Sequence, residues 1–317
     1  QTGVTFRNLL PETPARNGLS YEYYYNGGGV AVGDLNGDDL PDLYFVGNMG
    51  PNRLFLNRGG LTFEDVTEQA GVAGPMGGWA TGVTLVDINA DGNLDIYVSQ
   101  AGPFEDEELR RNVLFVNGQE GVGDPVFTEE AAAYGLDDPA YSTQAAFFDS
   151  DGDGDLDMYL MNHGIPAYRS LIELQTGRSP YEIDKLYRNE GRRFVDVSEE
   201  AGIIDTNMGF GLGVCIADLN NDQRPDIYVA NDYSGRDFLY LGQPGGTFSE
   251  VLEKSVPHIP FSSMGSDFAD MDGDGRLDLV VLEMDLPTHF GRKTFELGTE
   301  QERFSLLARE GLHYQYM

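Results

Sequence analysis

The chain of 317 residues carries 53 acidic side chains against 20 basic ones, a formal charge of −33 at pH 7. That balance argues against nucleic acid and against an anionic membrane surface, both of which call for a surplus of Lys and Arg. A content of 40% hydrophobic and 11% aromatic residues argues against a disordered acidic tail, so the chain can bury a core. Its one cysteine, Cys215, excludes an intrachain disulfide and a cysteine-based zinc site. The four histidines, His163, His258, His289 and His313, are scattered without HExxH spacing. No apolar run reaches the roughly 18 residues of a membrane-spanning helix. No signal peptide is visible, and a leader removed ahead of Gln1 is compatible with the sequence.

In chain order, residues 4–9 read as a strand resembling the fourth of a blade, with no preceding three. A pattern D-x-[DN]-x-D-x-x-x-D then recurs from Asp34, Asp87, Asp149, Asp218 and Asp270. Short apolar runs precede the copies at 30–32, 83–86, 145–148, 214–217 and 268–269. Others follow at 43–46, 96–98, 158–161, 227–229 and 279–282. Bounded by Gly, Asn and Asp, they predict buried strands joined by an acidic hairpin turn. Third and fourth strands are predicted at 53–57 and 61–66, 113–117 and 126–128, 186–189 and 194–197, and 238–241 and 247–251. Copy five shows neither. Residues 299–309 have helical periodicity, and 314–317 would begin a third strand.

Four-stranded antiparallel units bury both faces by packing side by side around a ring. The predicted fold is therefore an all-β propeller forming a single domain over 1–317. Its blades are expected at 27–71, 78–135, 142–202, 209–253 and 263–317. The last is incomplete, with a helical insertion at about 286–312, and residues 1–10 are expected as a closing strand. Five repeats leave the ring short of blades, so the chain is expected to be part of a longer protein.

The acidic loops supply oxygen ligands at positions 1, 3, 5, 7 (a backbone carbonyl) and 9, the chemistry of a hard cation such as Ca²⁺. Loop one offers Asp34, Asn36, Asp38, Leu40 and Asp42. Loop two offers Asp87, Asn89, Asp91, Asn93 and Asp95, and loop three Asp149, Asp151, Asp153, Asp155 and Asp157. Loop four offers Asp218, Asn220, Asp222, Arg224 and Asp226, and loop five Asp270, Asp272, Asp274, Arg276 and Asp278. Gly92, Gly154 and Gly275 occupy position 6, where the backbone turns; Asp39 and Gln223 depart from glycine there. Position 12 is apolar in every copy (Phe45, Val98, Leu160, Val229, Val281), which excludes an EF-hand, whose twelfth residue is a ligating Glu. One structural Ca²⁺ per loop is expected. Because such loops fill at millimolar calcium, the expected location is extracellular or a bacterial cell surface.

The repeat D-x-[DN]-x-D-x-x-x-D is followed by Asn52-Arg53-Leu54-Phe55-Leu56-Asn57 and by Phe63-Glu64-Asp65-Val66-Thr67-Glu68-Gln69-Ala70-Gly71. The second motif returns as Phe194-Val195-Asp196-Val197-Ser198-Glu199-Glu200-Ala201-Gly202. Together they resemble the FG-GAP/VCBS repeat family, most nearly its ASPIC/UnbV-like or cartilage-acidic-protein-like secreted subgroup. The resemblance extends over about 1–285. It implies an integrin-α-like propeller, commonly of seven blades, with Ca²⁺ in the loops between strands 1 and 2, and adhesion or ligand binding rather than a defined reaction.

With all acidic loops on one face of the disc, strand-1 starts and strand-2 exits share the other. Segments 21–29, 77–79, 141–144, 208–210 and 262–264 meet there. The candidate ligand face comprises Asn48, Trp79, Gln100, Asn162, His163, Asn231, Asp232, Tyr233 and Glu283. Channel filling is the competing role for Trp79 and the tyrosines. The expected function is non-enzymatic binding of a protein or polysaccharide, with no catalytic residue assigned. One alternative is a scaffold subunit of a bacterial cell-surface or outer-membrane complex. Another is a polysaccharide lyase or hydrolase, for which Asp232, Asp267, Glu283 and Asp285 are the available acids.

Overall fold

A computed structural model describes residues 2–119, 121–165, 179–204, 209–232, 235–260 and 262–283. Among these residues the fold is all-β, with four four-stranded antiparallel sheets and a fifth of two strands. Sheet one holds β1 (Val30–Gly33), β2 (Asp42–Phe45), β3 (Arg53–Asn57) and β4 (Phe63–Asp65). Sheet two holds β5 (Ala80–Val86), β6 (Asp95–Gln100), β7 (Val113–Asn117) and β8 (Phe127–Glu129). Sheet three holds β9 (Ser142–Phe148), β10 (Asp157–Asn162), β11 (Lys185–Asn189) and β12 (Phe194–Asp196). Sheet four holds β13 (Gly211–Ala217), β14 (Asp226–Asn231), β15 (Phe238–Gln243) and β16 (Thr247–Glu250), and β17 (Ser263–Ala269) pairs with β18 (Asp278–Glu283). Within each sheet the strands pair in chain order, as in a propeller-like blade.

Burial follows position in the stack. Every residue of β6, β10 and β14 is buried, because sheets cover both faces of these strands. β18 is mostly exposed, and β2 alternates. Apolar clusters fill the spaces between consecutive sheets, as with Tyr44, Leu54, Ile96 and Phe115 between sheets one and two. Each such side chain removed from water contributes about 1.5–3 kcal/mol.

First strands pack on first strands: β1 on β5, β5 on β9, β9 on β13, and β13 on β17. The backbones come close enough for direct hydrogen bonds between blades. The Gly29 N–H donates to the Thr81 carbonyl at 2.8 Å. The Thr81 and Thr84 hydroxyls donate to the Ser142 and Ala145 carbonyls at 2.6 and 2.7 Å. Cys215 takes the place of Thr84 in sheet four, its thiol donating to the Ser266 carbonyl at 2.9 Å. No closed ring forms among the described residues.

The family-like F-x-[DE]-V-[ST]-x-x-A-G motif is explained by a helical turn after each fourth strand. These turns are α1 (Thr67–Ala70), α2 (Ala131–Tyr134), α3 (Ser198–Ala201) and α4 (Leu252–Ser255). Asp65 accepts from the Thr67 N–H and hydroxyl, and the Thr67 oxygen accepts the buried Leu54 N–H at 2.9 Å. Asp196, Ser198 and Leu186 repeat the device. Gly71, Gly135 and Gly202 end their turns at left-handed φ of 77°, 74° and 81°.

One expectation needs correction. Residues 4–9 form no strand and so do not provide the expected closing strand. Instead the segment lies against sheet one: the Thr2 carbonyl accepts from the Phe63 N–H, and Phe6 stacks on Phe45 at 4.9 Å. Residues 10–26 add a segment that the repeat pattern does not contain, ending in a 3₁₀ turn at Glu22–Tyr25. The expected insertion at about 286–312 and the strand start at 314–317 lie outside the described residues.

Candidate functional site

The five acidic loops share one backbone geometry. The position-1 carboxylate accepts N–H groups from positions 4 to 6. Asp34 takes Gly37 at 2.7 Å and Asp39 at 2.7 Å; Asp149 takes Gly152 at 2.7 Å and Gly154 at 3.1 Å. The position-5 carboxylate accepts the position-7 N–H, from Leu40, Asn93, Asp155, Arg224 and Arg276 at 2.8–3.0 Å. Position 6 is left-handed throughout, at φ of 64°, 90°, 96°, 68° and 84° for Asp39, Gly92, Gly154, Gln223 and Gly275. Asp39 and Gln223 therefore hold the same turn without glycine's freedom.

The loops bring carboxylates together. Oxygens of Asp149, Asp151 and Asp153 lie within 4.8 Å of one another, as do those of Asp270, Asp272 and Asp278. Asn36, Asn89 and Asn220 stand at position 3 of the other loops, so those sites are less acidic. An all-oxygen cluster of this kind fits a hard divalent cation. Asp155 adds a further carboxylate in loop three. Its pKa is raised to about 6, first by burial and then by Asp153 and Asp157.

Position 9 carries a second duty. Asp42, Asp95, Asp157 and Asp226 are almost wholly buried. One oxygen of each accepts a loop N–H from Leu35, Ile88, Ser150 or Leu219. The other accepts from Asn57, Asn117, Asn189 or Gly242 in the third strand. This residue ties the loop to its sheet. Burial raises the pKa of each, that of Asp95 to about 6.

At the other end of the sheets lies a cavity of about 540 Å³. The first strands of all five sheets contribute to its wall, through Val30, Val83, Gln144, Leu212 and Met264. The segment 10–26 contributes Tyr21, Tyr23, Tyr25 and Asn26. Tyr21, Tyr23 and Tyr24 form an apolar cluster with Trp79, Phe104 and Phe210. His163 is fixed from both sides: Nδ1–H donates to the Gly164 carbonyl at 2.8 Å, and Nε2 accepts from the Tyr21 hydroxyl at 2.9 Å. Burial, with Arg110 nearby, lowers its pKa to about 4, so the imidazole is neutral. Among the described residues no Asp, Glu, Lys or Arg lines this cavity.

The structure sorts the predicted ligand face. Trp79 and His163 line the cavity, but both are 1% exposed. The strand-2 exit amides turn inward to satisfy backbone. Asn48 donates to the Gly27 and Ala80 carbonyls at 2.8 and 2.9 Å, Gln100 to Arg111 at 2.5 Å, and Asn162 to Ile183 at 2.5 Å. Asn231 donates to the Arg236 carbonyl at 2.9 Å. Asp232 is buried and Glu283 ends the exposed β18; neither lines the cavity. Tyr233 lies outside the described residues.

Sequence reasoning missed the partner of these exits, the residue just before each third strand. Asn52, Asn112, Asp184 and Asp237 accept the N–H of Gly47, Gln100, Asn162 and Asn231. They also meet a tyrosine from the second strand. Asn52 donates to the Tyr44 oxygen, whereas Tyr159 and Tyr228 donate to Asp184 and Asp237 at 2.8 and 2.5 Å. The recurring Asn or Asp directly before each third strand was the available signal.

Two stretches of this chain, residues 34–98 and 218–281, match the FG-GAP-like repeat. The chain is similar to cartilage acidic protein 1 of Xenopus tropicalis, at 25% identity over 291 residues, 88% of this chain and 42% of that protein. It is 28% identical to human cartilage acidic protein 1 over 280 residues, 81% of this chain and 38% of that one. The chain thus spans about two fifths of the length of the curated relatives it matches. Among solved structures, an Agrocybe aegerita lectin recognising non-reducing terminal N-acetylglucosamine aligns with a TM-score of 0.43 and 19% identity, over 84% of this chain and 68% of that one. The V. cholerae biofilm matrix protein Bap1 aligns with a TM-score of 0.33 and 15% identity, over 69% of this chain and 29% of that one. No helix of the described residues is long and apolar enough to cross a membrane.

Proposed function

We propose that this chain is a calcium-stabilised, extracellular binding module whose ligand enters the cavity at the first-strand starts. The observation that carries the reading is that all five sheets contribute to one cavity of about 540 Å³. That volume lies within the ~300–1,000 Å³ range of small-molecule sites. Calcium in the loops would hold the sheets that shape it, through Asp149, Asp151 and Asp153 in loop three and their counterparts elsewhere. When bound, the ion would supply charge neutralisation at the loops and no chemistry at the cavity. General acid–base cleavage of a polysaccharide needs paired carboxyl groups at the reacting bond. Among the described residues, none of the acids nominated for that role lines the cavity, which favours binding over cleavage.

The test is a panel of polysaccharides and extracellular-matrix proteins presented to the immobilised, calcium-loaded chain and to Val30→Trp. Val30 lines the cavity and is 54% exposed, so the larger ring occupies the mouth without disturbing the core. Binding that the substitution abolishes supports the proposal. Binding that survives it places the ligand elsewhere, and release of new chain ends from a polysaccharide restores the enzymatic alternative.

A further inference from the structure

The cavity differs from the rest of the molecule in charge. The chain carries −33, yet among the described residues no ionisable carboxylate, ammonium or guanidinium lines this space, and its histidine is held neutral. An ionic ligand would lose its hydration there without gaining a counter-charge from the wall. An anionic ligand would in addition approach against the field of the whole chain.

What the wall does offer is amphipathic. The Tyr25 ring is 62% exposed at the mouth, and Val30, Val83 and Leu212 supply apolar surface. The side-chain amides of Asn26 and Gln144 are exposed and have no hydrogen-bond partner among the described residues. The deeper polar groups are already committed: the Thr81 hydroxyl donates to Ser142, and the Thr143 hydroxyl to Met161. A peptide would need a continuous strand edge to pair its repeated amides. This wall is assembled from the starts of five separate edge strands, each contributing no more than three residues, so no single strand runs along it for a peptide to pair with.

Resting on the binding site proposed above, we infer that its ligand is an uncharged sugar unit of a glycan. Its apolar ring face lies on Tyr25 and the aliphatic wall, and its hydroxyls pair with the amides of Asn26 and Gln144. Uronates, sulfated sugars and sialylated termini are rejected.

Trp79 is the chain's one tryptophan and lines the cavity, so its emission reports on occupancy. The experiment titrates the calcium-loaded full chain with neutral hexose and N-acetylhexosamine oligosaccharides, with uronate and sulfated oligosaccharides, and with a set of extracellular-matrix peptides. A saturable change in Trp79 emission with neutral members alone is expected. Gln144→Ala, at an exposed position, should weaken that binding about tenfold, as loss of one hydrogen bond in a partly enclosed site does. Tyr25→Ala should weaken it by a similar factor. A charged glycan or a peptide that saturates Trp79 while neutral sugars do not overturns the sugar assignment and leaves the cavity as a binding site. Neutral sugar binding with no Trp79 response and no effect of either variant overturns the site itself.

Discussion

Asp184 and Asp237 occupy positions where sheets one and two carry Asn52 and Asn112. Burial lifts both carboxyls to about 6 from 3.8, against the N–H and hydroxyl donors that favour ionisation. The folded pKa lies above the unfolded one, so the fold holds these protons more tightly. The associated stability is fully present below about pH 4 and is lost as pH rises through about 6. Asp237→Asn keeps the shape and removes the titration. Wild type minus variant stability, from urea unfolding, should therefore fall by on the order of 3 kcal/mol between about pH 4 and pH 7. A difference independent of pH would show that the carboxyl keeps its ordinary pKa. This role was hidden in the sequence because Asn and Asp before a strand also read as ordinary turn residues. The loop aspartates were legible because five copies repeat them at fixed spacing. The double engagement of Asp42 and its counterparts was not, since it depends on which third-strand N–H lies opposite.

At the scale of elements, the strands were readable from short apolar runs bounded by turn residues. Observed strands begin earlier than the runs where glycine or polar residues join them, as β5 does at Ala80 against an expected start at Val83. The helical turns after each fourth strand escaped because four residues give no period. Their motif was visible, but its physical content, a hydroxyl bridging Asp65 and the Leu54 N–H, is tertiary. Thr67→Ala should cost about 1–2 kcal/mol by leaving a buried N–H unpaired, and Thr67→Ser should restore most of it, as Ser198 serves sheet three. Equal losses for Ala and Ser would assign the effect to the lost methyl. Gly82 marks another element-scale constraint. A Cβ there would lie 2.3 Å from the Thr143 carbonyl oxygen, where β5 crowds β9. Gly82→Ala should lower stability by about 1–3 kcal/mol through forced separation of the two blades. An unchanged urea midpoint would mean that the joint is pliable.

For the whole molecule, the repeat pattern led to the stacked sheets, and the topology argument led to the face where their first strands converge. The segment 10–26 could not be anticipated, having neither strand nor helix period. It supplies Tyr21, Tyr23 and Tyr25 to the cavity, and Tyr21 joins it to sheets two and three through Gly102 and His163. The same scale holds the electrostatic problem. The clustered carboxylates of loops three and five, within 4.8 Å of one another, repel strongly unless a cation intervenes. With dissociation constants of ~0.1 mM, millimolar calcium would add about 1–2 kcal/mol per loop, and five loops together approach the stability of an ordinary domain.

Thermal unfolding of the full chain, first in EDTA and then in millimolar calcium chloride, tests this most directly. The account predicts a calcium-dependent rise in Tm of roughly ten degrees or more, smaller in Asp151→Asn, together with calcium retained by the purified protein on elemental analysis. An unchanged Tm with no bound calcium would contradict it and leave the five loops as solvated hairpin turns.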